Sequence, residues 1–144
     1  MGLDTSHDCW HGAYSAFTRW RHHIATVAGY RIITPTREDI LAGGIHMSYV
    51  DIDWDIFNAE NYQGEWDDGP FIDDALLHLI VHSDCDGVIH PKHARPLADR
   101  LEGLLPKLDE GQSGGHIWSM REVTQQFIDG LRKAAAADED VDFH

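Results

Sequence analysis

The stretch Asp73-Asp74-Ala75-Leu76-Leu77-His78-Leu79-Ile80-Val81, running on into His82-Ser83-Asp84-Cys85-Asp86-Gly87-Val88-Ile89-His90-Pro91-Lys92-His93, sets the reading of the whole chain. Its first half is a helix pattern. Phe71, Ala75, Leu76, Leu79 and Ile80 make one apolar stripe, and Asp73 and Asp74 sit where the positive end of a helix dipole favours acids. Its second half loses that period and gains Asp84, Asp86 and Gly87. Acids bond their own backbone in turns, and Gly accepts the left-handed dihedrals that a sharp bend needs. A second helical pattern runs on to Leu105, with Leu97, Leu101, Leu104 and Leu105 as its apolar residues. Pro96 falls inside it and cannot donate to the preceding turn. The expectation is one turn over 91–95, a restart at Pro96 and an end at Pro106.

The order Asp86-Gly87-Val88-Ile89 resembles the middle of a single EF-hand: helix, twelve-residue loop, helix. Such a loop has an acid fifth, a sharp-turn Gly sixth and a carbonyl donor seventh. This register makes His82 first, Asp84 third, His90 ninth and His93 twelfth, so the candidate metal ligands are His82, Asp84, Asp86, the Val88 carbonyl, His90 and His93. The sequence departs from the pattern at both ends, where His82 replaces an Asp and His93 replaces the bidentate Glu. Calcium takes six to eight oxygens, whereas imidazole suits zinc, nickel, iron and copper. The donors therefore favour zinc or another transition ion over calcium. The plain alternative is a degenerate loop in which Asp84 and Asp86 only bond the turn. His78 lies one turn before His82 and would share its face. Asp51-Ile52-Asp53-Trp54-Asp55 has acids at similar spacing, but Ile56 takes the Gly position, so no second hand is expected.

A second candidate cluster is His7-Asp8-Cys9-Trp10-His11. In an extended chain His7, Cys9 and His11 would share one face, and imidazole and thiolate are zinc donors. A fourth ligand would come from elsewhere: His144, Asp142 or the loop histidines. The competing reading is a polar lead-in that caps the first helix and packs Trp10.

The chain has 144 residues, 42% of them apolar, with five Trp and five Phe. That suffices for one domain with a packed core. No apolar run is long enough for a membrane span, and no basic segment followed by an apolar run marks a leader. Two cysteines in such a chain point to a reducing cytoplasm. Eleven basic against 25 acidic residues give a net −14. This disfavours direct binding to nucleic acid, which needs cations to displace counterions, and suits a basic protein as partner. Solubility alone is the simpler explanation. Protonating all eleven histidines would take −14 to −3, so charge depends strongly on pH near neutrality.

Elsewhere, Ala13 to Ala28 is an amphipathic helix on Phe17, Trp20, Ile24 and Val27, with Gly29 as its left-handed stop. Arg19, Arg21, His22 and His23 fall mostly off its stripe, as a solvated basic face. Thr36 opens a brief helix over 37–42. Val50, Ile52, Trp54 and Ile56 alternate with Asp51, Asp53 and Asp55, the one strand-like piece, its acids protecting an edge from pairing. The alternative is that those acids gather a divalent ion. A last helix runs from His116 to Ala137 on Ile117, Met120, Val123, Phe127, Ile128 and Leu131, followed by an acidic tail, 138–144, that is expected to fray. Phe143 can fold back and bring His144 towards the N-terminal cluster. The expected class is mainly α: one compact helical domain over 1–144, an EF-hand-like helix-loop-helix near 71–105, and at most one short strand or hairpin.

Three segments, Ser6-His7-Asp8-Cys9-Trp10-His11-Gly12-Ala13-Tyr14, His82-Ser83-Asp84-Cys85-Asp86-Gly87 and Thr124-Gln125-Gln126-Phe127-Ile128-Asp129-Gly130, together resemble a family of small uncharacterised proteins from bacteriophages and prophages. The resemblance spans most of the chain and carries no catalytic assignment. It implies an accessory or host-takeover setting in the cytoplasm of an infected or lysogenic bacterium. Three readings follow: a divalent-metal-binding accessory protein whose ion is structural or regulatory, an acidic inhibitor of a host protein that imitates nucleic acid, and a metal-dependent hydrolase. The last ranks lowest, because no nucleophile–base constellation appears at a known spacing.

Overall fold

The computed structural model describes residues 2–43, 49–51, 74–80, 82, 86–108 and 119–144. Helices form where apolar residues recur every three or four positions. α1 spans Tyr14–Val27 and buries Phe17, Trp20, Ile24 and Ala25. Gly29, at φ +103°, turns the chain out of it, a conformation that costs Gly no Cβ clash. α2 (Arg37–Leu41) is brief, α3 covers Leu77–Ile80, and α4 runs from Pro91 to Leu104, followed by a 3-10 turn at Leu105–Lys107. α5, Met120–Ala137, starts at Ser119, whose hydroxyl accepts from the Glu122 N–H at 3.1 Å. That N-cap satisfies one of the orphan donors of the first turn.

α4 and α5 pack along each other in opposite directions. Arg121, at the start of α5, donates to the Leu108 carbonyl just beyond α4, while Arg132 reaches Asp99 and Glu102 further back. Leu97, Ala98, Leu101 and Leu104 of α4 meet Phe127, Ile128, Leu131 and Ala134 of α5 in one core. α1 closes that core with an aromatic group in which Trp10 stacks on Trp20 at 5.3 Å and Trp20 lies 4.9 Å from Phe127. The Trp20 indole N–H donates to Thr124 Oγ1 at 2.9 Å, so the one polar atom of that ring is satisfied where water is excluded.

The protein is mainly α, as expected, but it has more strand than expected. Among the described residues three antiparallel pairs form: β1 (Gly2–Asp4) with β2 (His11–Ala13), β3 (Arg31–Ile33) with β4 (Tyr49–Asp51), and β5 (Val88–Ile89) with β6 (Val141–Asp142). Each strand has two or three residues, too few to show a period of two, and β5 with β6 joins segments far apart in sequence. The strand-like piece is represented by β4 alone; Asp53 and Asp55 lie outside the described residues.

Three further expectations are corrected. Pro96 does not split the second helix, and α4 is continuous through it. The missing N–H removes one helical bond near the first turns, and the exposed ring leaves the buried side intact. The acidic tail is not frayed: β6 pairs, Phe143 is 2% exposed, and the Asp4 and His144 backbones exchange two hydrogen bonds of 2.9 Å. Val141 and Phe143 supply apolar surface that anchors the intervening acids. The helix expected over Phe71 to Val81 starts only at Leu77, since 74–76 form a turn; Phe71 to Asp73, like the Asp109 to Gly115 stretch, lie outside the described residues.

The segment before β2 lies directly on α5. A methyl at Gly130 would sit 2.5 Å from the Cys9 sulfur and 2.8 Å from the His7 carbonyl. Gly130 is therefore the gap that lets the N-terminal segment reach the core. Substituting Gly130→Ala is expected to lower unfolding stability in urea by about 1–3 kcal/mol, the usual cost of overpacking, although alanine favours helix. A neutral or stabilising result contradicts this packing.

Candidate metal centre

α3 is one turn long, so its last carbonyls have no partner within the helix. Arg21 of α1 fills the gap. Its Nη1 donates to the Leu79 and Ile80 carbonyls at 3.4 Å each and more closely to the His82 carbonyl. Its guanidinium carbon lies 4.5 Å from the Phe17 ring centre. Arg21 is 9% exposed, so the expected solvated basic face is corrected at this residue. The sign was in the spacing: Arg21 stands four residues after Phe17 and three before Ile24, on the apolar side of the helix.

Before α3, Asp74 Oδ1 accepts from the Leu76 N–H at 2.9 Å, capping the turn. Asp74 also accepts from Tyr30 Oη at 2.9 Å and from Arg100 Nε at 3.1 Å. Burial and this hydrogen bond push the Tyr30 hydroxyl up to about 12, so it stays a neutral donor. The start of α3 is thus tied to α4, and its end to α1.

Beyond α3 the loop closes on itself. Gly87 lies at φ +91°, in the left-handed region. His82 Nε2 is 3.0 Å from the Val88 carbonyl oxygen. A carbonyl only accepts, so Nε2 carries the proton in this bond. The His82 ring also lies 4.0 Å from the Phe143 ring. His90 precedes α4 and its carbonyl accepts from the His93 and Ala94 N–H groups at 2.9 and 3.0 Å. Its Nδ1 is 2.9 Å from Asp140 Oδ1. The His93 ring stacks on His78, with centres 4.0 Å apart and planes 22° from parallel. Asp86 is exposed; Asp84 and Cys85 lie outside the described residues.

The loop residues are therefore gathered but not all convergent. Imidazole lone pairs lie in the ring plane, so the nearly parallel rings of His78 and His93 do not aim at one ion. His90 turns to the tail. His82 Nε2 and the Val88 oxygen do face each other. Donors on arms of about 2.1 Å, at angles of roughly 90–109°, stand about 3.0–3.4 Å apart, and this pair fits. No group of three or more His, Cys, Asp or Glu side chains suited to a metal forms among the described residues.

The N-terminal cluster does not assemble as an extended face. His7 and Asp8 take left-handed backbone angles of +60° and +56° in φ, within a 3-10 turn at Ser6–Asp8, and this drives Cys9 into the core. Burial pushes the Cys9 thiol up to about 12, which keeps it protonated and a poor ligand. His7 contacts Ser6 Oγ at 3.1 Å and Glu139 at 3.7 Å. His11 is exposed and bonds Asp4. His144 reaches Asp4 through its backbone, the fold-back expected of Phe143.

No family model, curated protein or solved structure matches this chain.

Burial, and then the positive charge that His93, His82, His90 and Lys92 can carry, pull the His78 imidazole down to about 3 from 6.5. His78 is 6% exposed. The unfolded chain takes up a proton at this residue near pH 6.5, while the folded one resists it until about pH 3. Stability contributed by this residue is therefore complete above pH 6.5 and is lost as pH falls through that window. Melting temperature is expected to fall from pH 7 to pH 4, and His78→Phe to flatten that dependence. An unchanged slope in the variant contradicts the burial of a neutral imidazole.

Proposed function

We propose that the 82–93 loop binds one divalent transition ion, zinc foremost, and that the ion serves a structural or regulatory purpose rather than a catalytic one. The observation that carries this reading is the His82 Nε2 to Val88 oxygen separation of 3.0 Å across the Gly87 bend. These residues are first, sixth and seventh in an EF-hand-like register, where side chain and carbonyl meet on the ion. The Nε2 proton of His82 lies between the two donors. Moving that proton to Nδ1 leaves the Nε2 lone pair for the metal without a change of net charge. Asp84 and Asp86 are the carboxylates this register adds. His90 and His93 complete it only if they leave Asp140 and His78.

When bound, the ion would cross-link the loop across the Gly87 bend.

A second reading rests on the exposed carboxylates Asp138, Glu139, Asp140 and Asp142, held on a docked segment of a chain with net charge −14. Such a surface suits an acidic inhibitor that covers a basic host protein, the attraction falling with salt. No helix among the described residues is long and apolar enough to cross a membrane, and neither reading calls for one.

The test is thermal melting and metal analysis of untagged protein. Zinc chloride is expected to bind at one equivalent and to raise the melting temperature, more than calcium chloride does. His82→Phe, which keeps an aromatic ring against Phe143, is expected to abolish that rise. No bound zinc and no shift in the wild type would contradict the proposal.

A further inference from the structure

We infer that the C-terminal segment 138–144 is the loop's built-in partner, and that ion binding at the loop and docking of this segment strengthen one another. The inference rests on the cation reading above and concerns its regulation.

The tail touches the loop at three places: the backbone at Gly87 and Val88, the His82 ring and the His90 ring. The Phe143 N–H donates to the Gly87 carbonyl at 2.9 Å, and Val88 stands opposite Asp142. Hydrogen-bonded and non-hydrogen-bonded pairs alternate along an antiparallel ladder. With Gly87 bonded to Phe143, Val88 is the non-bonded member, and its carbonyl turns away from β6 and towards His82. Pairing with the tail therefore aims the oxygen at the nitrogen.

The same tail fixes the nitrogen. The His82 ring has Phe143 against it at 4.0 Å, and Phe143 continues into the core, 5.9 Å from Phe17. An imidazole backed by a buried aromatic cannot swing freely, so its nitrogen is held facing Val88. Asp140 takes the third position, on His90. The tail is in turn held from outside by the Asp4–His144 backbone pair and the Thr5–Phe143 bridge.

Where a second loop would supply the facing strand in a pair of such motifs, this chain uses its own C-terminal strand. A loop with its two donors preset binds an ion at lower ordering cost, and the gain returns to the tail, because linkage between two equilibria is reciprocal. The tail is then released most easily when the ion is absent.

The experiment uses the full, untagged chain with zinc chloride. Hydrogen exchange of the Phe143 and His144 amides is followed with and without the metal, and zinc affinity is measured by calorimetry for the wild type, Phe143→Leu and Ser6→Ala. Ser6 Oγ donates to the Asp140 carbonyl at 3.3 Å and accepts from the Asp142 N–H at 2.8 Å, so Ser6→Ala loosens the tail without touching the loop or the core and remains informative if Phe143→Leu does not fold. The expectation is exchange at least about 5-fold slower with zinc, and zinc binding at least about 5-fold weaker in Phe143→Leu, within the usual range of coupling between sites. Ser6→Ala is expected to weaken binding in the same direction. Zinc binding by the wild type with unchanged tail exchange, or equal affinity in the variants, overturns the linkage but leaves the site. Absence of zinc binding to the wild type removes the site, and the linkage with it.

Discussion

A single buried guanidinium, that of Arg21, joins the three parts of the protein that matter most. It rests on Phe17 in the aromatic core, and its donors end α3 at Leu79, Ile80 and His82. An unmade bond to a carbonyl near the core costs about 1–3 kcal/mol, and Arg21 serves all three, of which Leu79 also accepts from the His82 N–H at 3.3 Å. Placing a cation there is costly too, unless the charge is well bonded. The bonds, the ring and the carbonyl ends of a helix offset that cost together. Because His82 contributes one of the three carbonyls, the backbone from which its imidazole projects is fixed from α1.

The imidazole end is fixed from the opposite terminus of the chain. Phe143 lies on the ring, β6 sets the direction of the Val88 carbonyl, and Gly87 supplies the left-handed turn between them. The loop is therefore held from α1 and from the C-terminal segment. An imidazole suits position 82 because its ring packs against Phe143, where a short carboxylate would leave a gap.

Much of the helical framework was legible from apolar spacing. The faces of α1, α4 and α5 follow Phe17–Trp20–Ile24, Leu97–Leu101–Leu104 and Phe127–Ile128–Leu131, because a burial stripe is a local property of the chain. The turn at Gly87 was legible for a similar reason. What escaped was long-range. The partner of Val88 and Ile89 is more than fifty residues away, in a segment whose acids argue for solvent and whose two anchors, Val141 and Phe143, are isolated. Arg21 was hidden by its charge, although its position on the helix marked it. The alternation of His7, Cys9 and His11 implied a shared face only if the backbone were extended. Two left-handed residues there send Cys9 inward, towards the space left by Gly130. The stacking of His78 on His93 joins residues of two different helices, which spacing along one element does not report.

The order of dependence is thus α1 to α3 to the loop, with the tail closing the assembly. The most direct test is the unfolding free energy of Arg21→Met, measured in urea against the wild type. Methionine keeps the apolar stem beside Phe17 and removes the donors. A loss of more than about 2 kcal/mol, with unchanged denaturant dependence, is expected from carbonyls that lose this donor. A variant within about 0.5 kcal/mol of the wild type, the usual range for surface changes, would contradict the role given to this residue.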